Sequence, residues 1–162
     1  MFTATAIAAI GKPEMYREAA TQLVALLAGE RDLIANAANS SALIAALLPD
    51  LNWAGFYFLK SGELVLGPFQ GKPACVRIPL GKGVCGAAAA RRQTLLVEDV
   101  HAFPGHIACD AASRSELVVP LVKAGRLVGV LDLDSPLPAR FDLDDQAGVE
   151  QLAAIFLAAS NA

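Results

Sequence analysis

The sequence predicts an α+β fold, a central antiparallel β-sheet with N- and C-terminal helices packed on one face. Apolar residues recur at helical spacing near both ends of the 162-residue chain, and two turn-linked strand pairs lie between them. Strands and helices do not alternate in βαβ fashion, which excludes a parallel doubly wound sheet.

Pro13 and Glu14 open the first helix, Tyr16, Ala20, Leu23 and Leu27 give it an apolar stripe, and Gly29 ends it. A second helix runs from Asp32 through Ile34, Ala38, Ser41, Ile44 and Leu48 and stops before Pro49. Trp53 to Leu59 is aromatic-rich, Ser61-Gly62 is a turn, and Leu64 to Phe69 is the returning strand. Val84 to Arg92 is Ala-rich and helix-prone, and Thr94 to Val97 is a short strand before a loop that holds both histidines. The second hairpin pairs Leu117–Val122 with Leu127–Leu133 across Ala124-Gly125. Phe141-Asp142 opens the closing helix. Asp142, Asp144 and Asp145 suit its N-terminal dipole, and Val149, Leu152, Ile155 and Phe156 form its stripe.

No repeat, low-complexity tract or linker divides the chain, so residues 1–162 read as one domain, a size that buries roughly 70% of the unfolded chain's surface. A net charge of −3 without any Lys/Arg block argues against nucleic acid or an anionic membrane as partner. The opening segment has no basic region ahead of its short apolar stretch, and no run reaches the ~20 apolar residues of a membrane span. A cytoplasmic location is expected, where three thiols rest reduced and any disulfide is transient and catalytic.

All three cysteines lie in turn-like sequence among glycines, charges and histidines, where reactive thiols are found more often than packing ones. Cys85 follows Gly81, Gly83 and Val84 at the expected start of a helix, where free N–H groups lower a thiol pKa; a small packing residue accounts for it equally well. Asp110 beside Cys109 disfavours a thiolate, while a protonated His106 favours one; a loop position facing a pocket tilts Cys109 toward a reactive role. Cys75, between Pro73 and Pro79, is a candidate resolving thiol or simply a loop cysteine.

Three cysteines and two histidines raise the question of zinc, but there is no Cys-x-x-Cys pair and the residues are scattered, so no metal is expected. Gly81-x-Gly83-x-x-Gly86 has dinucleotide-fingerprint spacing without its βαβ context, and no cofactor is expected either. Strand alternation puts Asp132 and Asp134 on the face of Val128 and Val130, where two carboxylates raise each other's pKa; two exposed acids at a strand end are the plainer alternative. A two-residue turn at Ala124-Gly125 sets Glu116 opposite Leu133, pointing away from them; a bulge near Pro120 or an odd-length loop would bring it round. Trp53 and Tyr57 share a strand face and either wall an apolar pocket or fill the core.

WAGFY at 53–57, GPFQGKPAC at 67–75, GVCG at 83–86, DVH at 99–101, GHIACD at 105–110, SE at 115–116 and VLDLDS at 130–135 together resemble the free methionine-(R)-sulfoxide reductases, single-domain GAF-fold enzymes, over nearly the whole chain. The resemblance implies a single GAF domain over 1–162 that reduces free methionine-(R)-sulfoxide with electrons from thioredoxin, as a homodimer. By position it makes Cys109 the nucleophile that becomes a sulfenic acid, Cys75 the resolving thiol, and Cys85 an alternative or relay thiol. Either Cys75–Cys109 or Cys85–Cys109 then accumulates as the disulfide. Glu116, Asp132 and Asp134 would bind the substrate ammonium and sulfoxide oxygen, and Trp53 and Tyr57 the S-methyl group. The alternative is a non-catalytic GAF module that binds a small ligand or senses redox state.

Overall fold

The computed structural model describes residues 1–8 and 11–162; Ala9 and Ile10, in the short apolar stretch of the opening segment, lie outside them. Helices α1 (Lys12–Leu26) and α2 (Leu33–Leu47) precede the hairpin of β1 (Trp53–Lys60) and β2 (Glu63–Gly71). Then come β3 (Arg77–Pro79), α3 (Gly83–Arg91) and β4 (Leu95–Val97), the hairpin of β5 (Ser115–Lys123) and β6 (Arg126–Ser135), and α4 (Leu143–Ala159). The strands form one six-stranded antiparallel sheet in the order β3-β2-β1-β6-β5-β4. β3 is the strand the sequence reading does not anticipate: three residues are too few to display a period.

Alternation along the central strands sorts two cores. Ala54, Phe56 and Phe58 of β1, Leu117, Val119 and Leu121 of β5, and Leu131 and Leu133 of β6 point to the face covered by α1, α2 and α4. Trp53, Tyr57, Val118 and Val130 point the other way, where only α3 covers the sheet. That second layer is thin, and a site can open there.

Asp142 caps α4 by accepting from the backbone N–H of Asp144 and Asp145, and Asp145 returns the bond to the Asp142 N–H. Asp145 is also fully buried and accepts from Tyr16 Oη (2.8 Å) and Arg140 Nη1 (2.9 Å), which ties α1 to α4. The expected stripe of α2 holds at Ser41, Ile44 and Leu48, all buried, and fails at its start. Ile34 and Ala38 face solvent, while Asn36, Ala37, Ser40, Ser41, Leu43 and Ile44 face inward. Small and polar side chains are used because α2 lies close to its neighbours and can bond them: Asn36 donates to Ser160 Oγ (3.1 Å) and Ser41 Oγ to the Pro68 carbonyl (3.1 Å). No helix among the described residues is long and apolar enough to cross a membrane.

Candidate active site

Three strands align the acids. Across β5, β6 and β1 the backbone pairs Glu116 with Asp134 and Asp134 with Trp53; one step on, Val118 pairs with Asp132 and Asp132 with Gly55. The pairing needs a bulge. Lys123 pairs with Arg126 and Val122 with Leu127 as a two-residue turn dictates, but Leu121 pairs with Gly129, so Val128 is an extra residue that shifts every later pair by one. The bulge brings Glu116 to the aspartates. It also turns Val128 onto the helix-covered face, correcting the expectation that it shares a face with Val130.

Gly55 makes room in this row. A Cβ there would lie 2.3 Å from Phe69 Cβ and 2.8 Å from the Trp53 ring, so only glycine lets Trp53 stack on Phe69 with centroids 5.2 Å apart. Tyr57 also stacks with Trp53, at 5.9 Å. Both aromatics are buried, and both spend their polar tips on one loop: Trp53 Nε1 donates to the Lys72 carbonyl (3.2 Å) and Tyr57 Oη to the Cys75 carbonyl (2.9 Å). The half-buried Cys75 is thereby held facing the exposed Cys109. The two are joined by a disulfide, with Cα atoms 5.6 Å apart.

Beneath this bridge Cys85 projects from the first turn of α3 and is 4% exposed. Its Sγ lies 3.8 Å from Glu116 Oε1. Here the structure corrects the expectation from the helix terminus: burial, then the neighbouring Asp132 and Glu116 carboxyls, push the Cys85 thiol well up, not down. Burial and the two aspartates likewise hold the Glu116 carboxyl far above its ordinary range. Burial raises Asp132 to about 7, although hydrogen bonding with Cys85 and Glu116 pulls it back down, and burial with the Asp132 charge raises Asp134. The buried Asp132 Oδ1 has no hydrogen-bond partner among the described residues. These acids are therefore not a solvated strand end; burial and mutual repulsion favour their protonated forms.

Above them lies a narrow cleft with a cavity volume of about 40 Å³. Seven of the eight residues singled out from the sequence line it, and the eighth, Cys75, is joined to its wall through the bridge to Cys109. The wall also holds residues that reading did not single out. Ile78 and Ile107 supply apolar surface, Lys72 and Lys82 stand at the rim, and Ser113 lies beside Asp110. Asn52, just before β1, donates to Asp110 Oδ2 (3.3 Å) and Ser113 Oγ (3.1 Å), and so pins the Cys109 loop to the sheet. Its adjacency to Trp53 is the only sequence signal for it. Of the histidines, His106 enters the cleft, with Nε2 4.0 Å from Glu116 Oε2, while the exposed His101 meets it edge-on at 6.4 Å.

The GAF domain family matches residues 13–159. Over 145 residues, 90% of this chain and 88% of the relative, the sequence is 55% identical to the free methionine-R-sulfoxide reductase of Escherichia coli. The chain belongs to the GAF domain family, among the free methionine-R-sulfoxide reductases. The GAF fold is equally clear among solved structures. The Neisseria meningitidis free methionine-R-sulfoxide reductase in complex with its substrate superposes with a TM-score of 0.94 at 45% identity, covering 98% of this chain and 95% of that one. The reduced Staphylococcus aureus enzyme gives 0.87 at 49% identity, covering 89% and 94%. In this GAF chain the sheet face left thin by the helices is the face that carries the cleft.

Proposed function

We propose that this chain reduces free L-methionine-(R)-sulfoxide to L-methionine, taking two electrons from its own thiols, and that thioredoxin restores them. The observation that carries the reading is a disulfide bridging the mouth of a cleft whose floor gathers the Glu116, Asp132 and Asp134 carboxyls. Nothing in a purely ligand-binding module calls for that pairing of reductant and acid.

Cys109 attacks the sulfoxide sulfur while a floor carboxyl protonates the oxygen, which otherwise leaves poorly. The oxygen passes to Cys109 as a sulfenic acid and methionine is released. The Cys75 thiol then displaces the oxygen as water, and the disulfide forms. Thioredoxin's dithiol returns the chain to its starting state by exchange. Cys85 serves as the alternative or relay thiol. Glu116, Asp132 and Asp134 hold the substrate ammonium and the sulfoxide oxygen, and Trp53 and Tyr57 pack against the S-methyl group. The reading extends to residues 1–162 acting as one GAF domain, as a homodimer in the cytoplasm.

The test is methionine production from each sulfoxide epimer, as the free amino acid and within a peptide, with a dithiol and then with thioredoxin as reductant. Turnover of the free R epimer alone is expected. No turnover of any substrate would leave a GAF module that binds a small ligand or senses redox state.

A further inference from the structure

We propose that Cys85, Glu116 and Asp132 form a binding site for a thiophilic divalent cation, zinc in class, on the floor of the cleft, so that metal and substrate compete. One sulfur and two carboxylate oxygens, from α3, β5 and β6, lie within 4.8 Å of one another, all on buried residues. Donors around a tetrahedral zinc ion are about 3.6 Å apart, given bonds of about 2.3 Å to sulfur and 2.1 Å to oxygen. Cys85 Sγ and Glu116 Oε1 are already 3.8 Å apart. The residues are scattered in sequence, which argues against a metal site when read along the chain, but the fold closes those gaps.

A second observation points to a cation. Asp132 is 5% exposed, lines the cleft, and keeps Oδ1 without a partner. Among the described residues no lysine or arginine forms a salt bridge with Glu116, Asp132 or Asp134; the one basic group within 4.0 Å of their carboxylates is His106, at 4.0 Å from Glu116 Oε2. The mixed sulfur and oxygen set is one that zinc accepts and magnesium or calcium does not. Binding releases the Cys85 proton, so the cation holds as thiolate a sulfur that the empty site keeps protonated. Competition with substrate rests on the reductase reading; the metal site itself does not.

The experiment uses the full chain in its disulfide form, in which Cys75 and Cys109 are bridged and Cys85 is the one free thiol. Cobalt(II) is titrated as the probe, and a near-ultraviolet thiolate-to-cobalt charge-transfer band is expected. Cys85→Ser should lose the band and bind more than about tenfold more weakly, the least that loss of a supporting group costs a metal site. Excess free methionine-(R)-sulfoxide should remove the band, while glycine at equal concentration, which chelates through the same amine and carboxylate but lacks the sulfoxide chain, should leave it. A disulfide-form wild-type chain without the band overturns the site whether or not any variant folds. A band indifferent to the sulfoxide overturns the competition. Absent sulfoxide turnover in the separate assay defeats the reductase reading and leaves the cobalt result standing.

Discussion

Glu116 lies directly across from Asp134 on adjoining strands, with Asp132 one pair further along, and all three face a cleft roofed by a disulfide. Carboxyls this close cannot all ionise, so the trio titrates as a unit and holds at least one proton at neutral pH. Asp132, raised to about 7 by burial, marks the upper edge of the window in which that proton is available. If the proton is delivered to the sulfoxide oxygen, kcat/KM should fall as pH rises through about 7, because that ratio reports the free enzyme. A pH profile flat to pH 9 would remove the acid role from the trio.

The same protons affect stability with a definite sign. Asp132 has a folded pKa above its unfolded value of 3.8, so its contribution to stability is complete below the unfolded pKa and is lost as pH rises through about 7. Asp132→Asn removes an ionisation the fold disfavours. At pH 8 it should gain about 1–2 kcal/mol, or about 2–8 °C in Tm for a chain of this size, with no such gain at pH 4. Sulfoxide reduction should fall in the same variant. Thermal scans at the two pH values test this; an equal Tm change at both would mean that the carboxylate is not strained by its setting.

The two bridged cysteines should fail differently. Cys109→Ser removes the group that meets the sulfoxide and should abolish even a single turnover. Cys75→Ser leaves that group and removes the resolving partner, so one equivalent of methionine per chain should form and Cys109 should remain as sulfenic acid. Quantifying methionine in a single-turnover burst, with a sulfenic-acid trap, separates them. A burst from Cys109→Ser, or steady turnover by Cys75→Ser with thioredoxin, would reassign the roles and direct attention to Cys85.

Much of this was legible in the sequence, and the failures have physical causes. Both hairpins and four helices follow from period and turn chemistry, since Ser61-Gly62 and Ala124-Gly125 close their turns as read. The buried face of α2 was legible at Ser41, Ile44 and Leu48 but not in its first two turns, where Asn36, Ala37 and Ser40 face in while Ile34 and Ala38 face out, a local reversal of the hydrophobic signal that the Asn36 bond to Ser160 helps to offset. In the site, alternation gave Asp132 and Asp134, but a two-residue turn could only set Glu116 against Leu133; the extra residue at Val128 has no marker in side-chain type. Cys85 was placed at a helix start correctly and its pKa was misjudged, because burial, which raises it most, and the Glu116 and Asp132 carboxyls that add to it come from tertiary packing, the acids on strands 31 and 47 residues away in sequence.

The face opposite the cleft offers a test of packing separate from chemistry. Gly148 of α4 lies against Tyr16 of α1, and a Cβ there would sit 2.0 Å from the Tyr16 ring. The ring cannot swing aside freely, because its hydroxyl donates to the buried Asp145 carboxylate. Gly148→Ala gains up to ~1 kcal/mol of helix propensity, but overpacking of this kind costs about 1–3 kcal/mol or more, and the steric term should win. Urea denaturation should show a net loss of about 1–2 kcal/mol, and in a Tyr16→Leu background the same change should cost little or stabilise, because the obstructing ring is gone. Equal losses in both backgrounds would mean that the clash is with the α4 surroundings at large and that the tyrosine is not the obstacle.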